Sequence, residues 1–227
     1  MTRWIVFIIG IMLLVTAAAH AAELGKTQVA LEGQKVSSEE TNFGNLVTDA
    51  IRDASGADIA IVHAMAFRAS ALIDKGAVSD QALRSTLASP TSKIVTLKLT
   101  PALLRTLMQR SLTKYPDPTP AFLQVSGMQV TFDSAQPSAM RVKSISVGGK
   151  SLDLSDTKTT FLVAMPRELA FGAAGYVLDF TDDIKGSLQV TDINMIQAIS
   201  QEFQRLKGTV NPAVEGRLKD VNPKAAK

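Results

Sequence analysis

Residues 42–63 read NFGNLVTDAIRDASGADIAIVH, and this stretch contains the change of hydrophobic period that decides the fold. Its apolar residues over 46–51 recur at helical spacing after a turn-rich start, which predicts an amphipathic helix to about residue 54. Ser55-Gly56 ends that helix, because glycine readily adopts the conformation that closes a helix. The continuous apolar run at 59–62 then predicts a strand covered on both faces.

Four further elements are predicted before residue 113. They are a short leading strand at 27–31 centred on Val29, a helix capped by Ser79-Asp80 that runs through Leu83 and Leu87, a strand at 94–99, and a helix that begins at Thr100-Pro101 and carries Leu103, Leu104, Leu107, Met108 and Leu112. The two helix starts follow from side-chain caps and from a proline at the first helical position. Helices and strands therefore alternate in this half of the chain.

Beyond the three prolines of 115–120, which predict an exposed extended loop, the hydrophobic period changes to two. Antiparallel strands are predicted at 122–125, 128–132, 141–147 and 159–163, with Gly148-Gly149 as a hairpin turn. A last helix is predicted from Ile193 to Leu206, after Thr191 and Asp192, and Gly208 ends it. Helices beside a mixed sheet give an α+β fold with layered packing.

The composition excludes several classes of protein. The chain has 227 residues, of which 46% are hydrophobic and 20% charged, with no Cys and two His. These values exclude a disordered chain and a disulfide scaffold, and the absence of Cys excludes thiolate metal ligands and a thiol nucleophile. The formal net charge of +3, with acidic and basic residues interspersed, gives little support for binding to nucleic acid or to a membrane surface.

The N-terminal segment predicts export. Arg3 precedes an apolar run at 4–15, and small residues lead to Ala19-His20-Ala21, which together are typical of a cleavable signal peptide at 1–21. The alternative is an uncleaved membrane anchor, but the run is shorter than the roughly 20 apolar residues that a span needs. We therefore expect a periplasmic or secreted protein with no stable membrane anchor after cleavage, consisting of a lead-in at 22–34, a domain at 35–220 and a frayed tail at 221–227.

Two side chains near the buried strand are candidates for ligand binding. His63 follows the strand directly, where the carboxyl end of a strand often meets ligands, although a structural, hydrogen-bonded histidine is the simpler interpretation. Arg68 lies five residues further and could hold a phosphate or carboxylate, the simpler interpretation being a surface ion pair. The adjacent acids Glu39-Glu40 and Asp182-Asp183 are weak candidates for acid–base work, and the turn at 172–175 lacks the strand and helix context of a phosphate loop.

Several separated motifs resemble the C-terminal domain of the 5′-nucleotidase family. They cover roughly residues 35–220, in the family's order. The residues concerned are Glu40-Thr-Asn42-Phe-Gly44-Asn45-Leu46, Gly56-Ala57-Asp58-Ile59-Ala60, Arg68, Leu97-Lys-Leu99-Thr100, Phe122-Leu-Gln124-Val-Ser126-Gly127, and Pro212 with Glu215-Gly216-Arg217. The resemblance implies a four-layer α/β/β/α sandwich that binds the nucleoside part of a nucleotide and helps to grip its phosphate. It also implies that the metals and the catalytic His–Asp pair belong to a separate metallophosphoesterase domain, so we expect no cofactor in this chain.

The chain departs from the family at the residues that touch ligand. Where the family usually has Asn-Gly-Gly-Gly-Ile-Arg, the chain has His63-Ala-Met-Ala-Phe-Arg68, which keeps the arginine but puts side chains where glycines stood. The family's Pro-Phe-Gly-Asn aligns with residues 89–92, its second base-stacking Phe with Glu168, and its ribose-binding Asp with Ala174. A further arginine of some members would fall at Ser37.

The scaffold motifs are therefore kept while the ligand contacts are changed. The candidate ligand-binding residues are Arg68, His63, Ser92, Phe171 and Tyr176, the last two because they flank the altered loop and could supply a substitute aromatic face. The alternative is that either ring simply packs the loop.

Two functions follow from this contrast. The first is an exported domain that is not catalytic by itself and binds another ligand, such as a small-molecule phosphate or nucleoside, or a protein partner. The second is the substrate-binding part of a nucleotidase that a separate metallophosphoesterase subunit completes. A scaffold that binds no small ligand is a third alternative.

Overall fold

The computed structural model describes residues 23–176 and 182–223. Its helices are Asn42–Ser55 (α1), Asp80–Thr86 (α2), Pro101–Ser111 (α3), Arg167–Ala170 (α4), Asp182–Ser187 (α5) and Met195–Arg205 (α6). Its strands are Glu23–Thr27 (β1), Leu31–Glu32 (β2), Ile59–His63 (β3), Leu72–Ile73 (β4), Gly76–Ser79 (β5), Lys93–Leu99 (β6), Leu123–Ser126 (β7), Met128–Phe132 (β8), Val142–Val147 (β9), Lys150–Ser151 (β10), Phe161–Pro166 (β11), Gln189–Asn194 (β12), Thr209–Val210 (β13) and Leu218–Asp220 (β14). The predicted signal peptide and residues 224–227 of the predicted tail lie outside the described residues.

A five-stranded mixed sheet in the order β12-β6-β11-β3-β7 forms the centre of the fold. β3 and β11 run parallel, while β6 and β7 run antiparallel to them. The C-terminal ends of β3 and β11 therefore lie beside the N-terminal ends of β6 and β7, along the edge of the sheet that runs across the strand ends. We call this edge, marked by His63, Pro166, Lys93 and Leu123, the loop edge.

Three smaller sheets surround this centre. The strand orders are β10-β9-β8-β14, β13-β1-β5 and β2-β4. Gly148-Gly149 connects β9 to β10 as a two-residue turn, as predicted, because both glycines adopt the positive φ that such a turn requires. The predicted α+β class is confirmed, while the four-layer arrangement stays a prediction. Within residues 23–176 and 182–223, no helix has both the length and the apolar character of a membrane span.

The motif that begins at Asn42 builds α1 and fixes it to the sheet. The Thr41 side chain accepts a hydrogen bond from the Gly44 N–H at 2.9 Å, and Gly56 ends the helix at φ 64°. A Cβ on Gly44 would lie 2.3 Å from Oε1 of Gln124, so only glycine lets the helix approach β7 this closely. The Gln124 side chain is fully buried, and its Oε1 accepts a hydrogen bond from the Thr41 N–H.

Several predicted boundaries differ from the structure, among them that of the strand predicted at 159–163, which runs over Phe161–Pro166. The leading strand predicted at 27–31 is instead split into β1 and β2, because the Thr27 hydroxyl bonds to the Val29 carbonyl and turns the chain between them. The last helix begins at Met195 rather than Ile193, because Asn194 caps it and Gln197 completes a capping box. The predicted tail also departs from expectation: the Val221 N–H donates to the Phe132 carbonyl at 2.8 Å, so pairing continues past residue 220.

Candidate functional site

A cavity of about 470 Å³ opens at the loop edge. It is lined by residues 88–93, which precede β6, and by Arg167 and Glu168, which follow β11. The topology explains this meeting, since β11 ends where its antiparallel neighbour β6 begins. The cavity therefore lies where the sequence predicts ligand contacts, beside the end of β3.

Ser92 lies in this cavity and is joined to its opposite wall. Its hydroxyl donates a hydrogen bond to Oε2 of Glu168. The loop 88–93 that carries Ser92 is bonded to the first residues of α6. The Ser92 and Pro90 carbonyls accept hydrogen bonds from the backbone N–H groups of Met195 and Ile196, at 3.0 and 2.9 Å. The loop is thus held by the N-terminus of α6, and the Ser92 hydroxyl has a defined position.

Arg68 lies beside the start of the same loop. Its backbone N–H donates to the Thr86 carbonyl, and its Nε donates to the Leu87 carbonyl at 3.1 Å. Its side chain is exposed and, within the described residues, forms no ion pair with a carboxylate. The surface ion pair given as the simpler interpretation of Arg68 is therefore absent from this part of the chain.

His63 is buried at the end of β3, with 3% of its surface exposed. Burial lowers the pKa of its imidazole to about 4, and the negative charge of Glu168 partly opposes that shift. His63 is consequently neutral at pH 7. Its Nδ1 has no hydrogen-bond partner, so the structure does not provide the hydrogen bond at this atom that a structural histidine would use.

Arg167 begins α4, and Phe171 is the residue that caps its C-terminus. The Arg167 guanidinium lies over the Phe171 ring, 4.6 Å from the ring centroid, in a cation–π contact. The Phe171 ring is 56% exposed. The ring is therefore at the surface near the cavity and does not plug the interior.

Tyr176 is 2% exposed, and its hydroxyl donates to the Ala121 carbonyl at 2.5 Å. Burial raises the pKa of its hydroxyl. Burying an aromatic ring with its hydroxyl bonded is favourable, and here it leaves the ring no free face for a ligand. Tyr176 thus packs the loop, the simpler of its two interpretations. The loop itself is anchored by Arg110, whose Nη2 donates to the Ala174 carbonyl at 2.9 Å.

The cavity also contains a residue that the sequence analysis did not single out. Arg167 lines it next to Glu168, and neither side chain forms an ion pair within the described residues. The signal that could have found Arg167 is its position directly after β11, whose end lies at the same edge as the end of β3. Among the described residues, no three acidic or histidine side chains are grouped so that they could hold a metal ion.

A second cluster of charges lies away from the loop edge and is fully paired. Arg217, 7% exposed, bonds to both carboxylate oxygens of Asp49 at 2.9 and 2.8 Å and to Glu215 at 3.0 Å. We call these three residues the Arg217 network. Oε1 of Glu40 accepts hydrogen bonds from the Asn45 amide and the Glu215 N–H, and so connects α1 to the segment that carries Arg217.

The chain matches the family model described as 5′-nucleotidase, C-terminal domain, over residues 18–182. It belongs to this family. A crystal structure of a 5′-nucleotidase precursor from Thermus thermophilus shares the fold, with a TM-score of 0.76 and 23% identity over 89% of this chain and 40% of that one.

Two curated relatives agree with this assignment. The trifunctional nucleotide phosphoesterase protein YfkN of Bacillus subtilis (strain 168) is 29% identical over 88% of this chain and 14% of that protein. A snake venom 5′-nucleotidase of Macrovipera lebetinus is 26% identical over 88% of this chain and 52% of that protein. The chain thus spans about half, or less, of the length of the curated relatives that it matches.

The resemblance places a base-stacking Phe at Glu168, which lines the cavity, and the ribose-binding Asp at Ala174. The fold is that of the family.

Proposed function

We propose that this protein is an exported ligand-binding domain of the 5′-nucleotidase C-terminal type, with a remodelled nucleotide site and no hydrolytic activity by itself. It uses no cofactor of its own. The family match supports the recognition role, because the matching model is that of the C-terminal domain.

The observation that carries the proposal is the composition of the loop-edge cavity. Its lining has Pro90 and Glu168 at the two positions where the resemblance expects stacking rings, and the described residues that form it include no aromatic side chain. Stacking of a base on an aromatic ring contributes about 1–3 kcal/mol per base in single-strand binders. Loss of both faces would therefore weaken nucleotide binding by about 100-fold or more.

Hydrolysis is tested with the purified protein, divalent metal ions and nucleoside monophosphates. We expect phosphate release no faster than in the protein-free control. Metal-dependent turnover that a chelator abolishes and that Arg68→Ala lacks would contradict the proposal. Arg105→Ala is the matched control, because Arg105 is an exposed arginine on α3, away from the cavity lining.

A second function is favoured by Arg68, which is exposed, positioned by two main-chain hydrogen bonds and not paired with an acid in the described part of the chain. Such an arginine could grip a substrate phosphate in a nucleotidase completed by a separate metallophosphoesterase subunit. The test mixes the protein with a separately produced subunit of that type. Phosphate release that requires both proteins and falls in Arg68→Ala but not in Arg105→Ala would favour this function over the first.

Export to the periplasm or the medium is part of the first proposal. The residues that predict it, 1–21, precede the described structure, and relatives include a snake venom protein. Cell fractionation followed by N-terminal sequencing tests it directly. We expect the exported protein to begin at Ala22, and recovery of the full-length chain in the cytoplasm would contradict export.

A further inference from the structure

The loop edge concentrates positive charge without carboxylate partners. Arg167 lines the cavity, and Arg68 is held at the start of the loop that forms its other wall. Within the described residues, neither guanidinium meets an acid, in contrast to Arg205 and Arg217, which both do. An unpaired guanidinium in the lining, with a second one held at the start of the loop that forms the other wall, is suited to an anion, because arginine binds phosphate and carboxylate through parallel hydrogen bonds.

The same cavity also presents groups that accept hydrogen bonds from hydroxyls. Oε2 of Glu168 accepts the Ser92 hydroxyl, while its Oε1 has no partner among the described residues. Ser89 and Thr91 add two hydroxyl groups to the lining. Oε1 of Glu168 can therefore accept a hydrogen bond from a ligand hydroxyl. Hydrogen bonds to a charged carboxylate are stronger than those between neutral groups.

The described residues that line the cavity include no aromatic ring. Pro90 and Glu168 occupy the positions of the family's stacking rings, Tyr176 is buried, and the Phe171 ring near the cavity is in contact with the Arg167 guanidinium. The lining thus favours a ligand that is anionic at one end and rich in hydroxyls at the other.

We propose that the cavity binds a phosphorylated sugar or polyol without a nucleobase. Arg167 pairs with the phosphate, Arg68 supplies the second positive charge, and Glu168 accepts hydrogen bonds from the hydroxyls. This inference rests on the proposed function, since it names the ligand class of the remodelled site. It makes Arg167 and Glu168 the residues that determine specificity.

Isothermal titration calorimetry on the purified protein tests the inference. The ligands are ribose 5-phosphate, glucose 6-phosphate and glycerol 3-phosphate, with inorganic phosphate, ribose and AMP as comparisons. We expect at least one phosphorylated polyol to bind more tightly than inorganic phosphate, free ribose and AMP.

Two variants test the assigned residues. Arg167→Ala and Glu168→Gln should each weaken that binding about tenfold, which corresponds to the loss of one charge-assisted hydrogen bond. Arg105→Ala should leave it unchanged.

Glu168→Phe gives a second, independent readout. Restoring a ring where the family stacks its base should tighten AMP binding and weaken that of the phosphorylated polyol, whereas Glu168→Gln should weaken the polyol without improving AMP. The unfolding temperature of each variant shows that it is folded.

The inference is wrong if no phosphorylated polyol binds, if inorganic phosphate or AMP binds as tightly, or if Arg167→Ala has no effect on binding. Those results are distinct from failure of the proposed function, which would appear as metal-dependent phosphate release by the protein alone.

Discussion

Charged side chains are arranged in opposite ways in the Arg217 network and at the loop edge. Each guanidinium nitrogen of the buried Arg217 meets an oxygen of Asp49 or Glu215, whereas Arg68 and Arg167 meet no carboxylate within the described residues. A buried charge must be paired for the fold to be stable, while an exposed charge can remain without a protein partner. The first region therefore maintains the scaffold, and the second is available for binding.

The sharpest test of this difference is Arg217→Ala. Removing the buried guanidinium takes charge-assisted hydrogen bonds from the partly exposed Asp49 and Glu215 and a donor from the Val125 carbonyl, so the free energy of unfolding should fall by about 3 kcal/mol. Urea unfolding followed by circular dichroism measures the loss. Arg105→Ala, at an exposed position on α3, should change the stability by less than about 0.5 kcal/mol. Equal losses in the two variants would show that the Arg217 network is not a stabilising feature.

The next effect concerns His63, a buried titratable group at the end of β3. In the unfolded chain its imidazole gains a proton below about pH 6.5, but burial lowers the folded-state pKa to about 4. The unfolded state thus binds more protons between these values, and stability falls as the pH drops from 6.5 to 4, by about 3 kcal/mol. His63→Asn, which restores the family's residue, should lose that part of the pH dependence.

The comparison uses unfolding free energies of both proteins at pH 7.0 and pH 4.5. Each protein serves as its own reference, so a general effect of the substitution on stability cancels. An identical pH dependence in the two proteins would mean that His63 is not held neutral by burial. Glu168, whose charge raises the His63 pKa, gives a further check: Glu168→Gln should lower that pKa further, so the fall in stability should continue to a lower pH.

How far the sequence predicts these two regions depends on the physical signal each one carries. Helix α1, strand β3 and the glycine turn at Gly148-Gly149 were predictable, because caps, hydrophobic period and turn chemistry act over a few residues. The burial of Tyr176 and the pairing of Arg217 with Asp49 were not, because both depend on residues brought together from distant parts of the chain. Arg167 was missed for the same reason: its place beside the cavity comes from the strand order of the sheet.

The scaffold also depends on one close backbone contact, at Gly127. Its φ of 78° lies in the left-handed region, and a Cβ there would lie 2.1 Å from the Asp58 carbonyl oxygen. Gly149 has nearly the same φ, 77°, with nothing within 4 Å of its Cβ position. Gly149→Ala should therefore cost about 1 kcal/mol for the backbone conformation alone, and Gly127→Ala at least about 2 kcal/mol. Equal losses would show that the contact with Asp58 can relax without cost.

The smallest expected change in stability is the one that best separates the two regions. Arg167 is exposed, and among the described residues its only contact with a specific partner is with the Phe171 ring. Arg167→Ala should therefore change the unfolding free energy by no more than about 0.5 kcal/mol, the usual range for a surface substitution. A larger loss would mean that Arg167 belongs to the scaffold. With the fold intact, any loss of ligand affinity in this variant is attributable to the missing guanidinium. Arg217→Ala should show the reverse pattern, which is a large loss of stability although every cavity residue is unchanged.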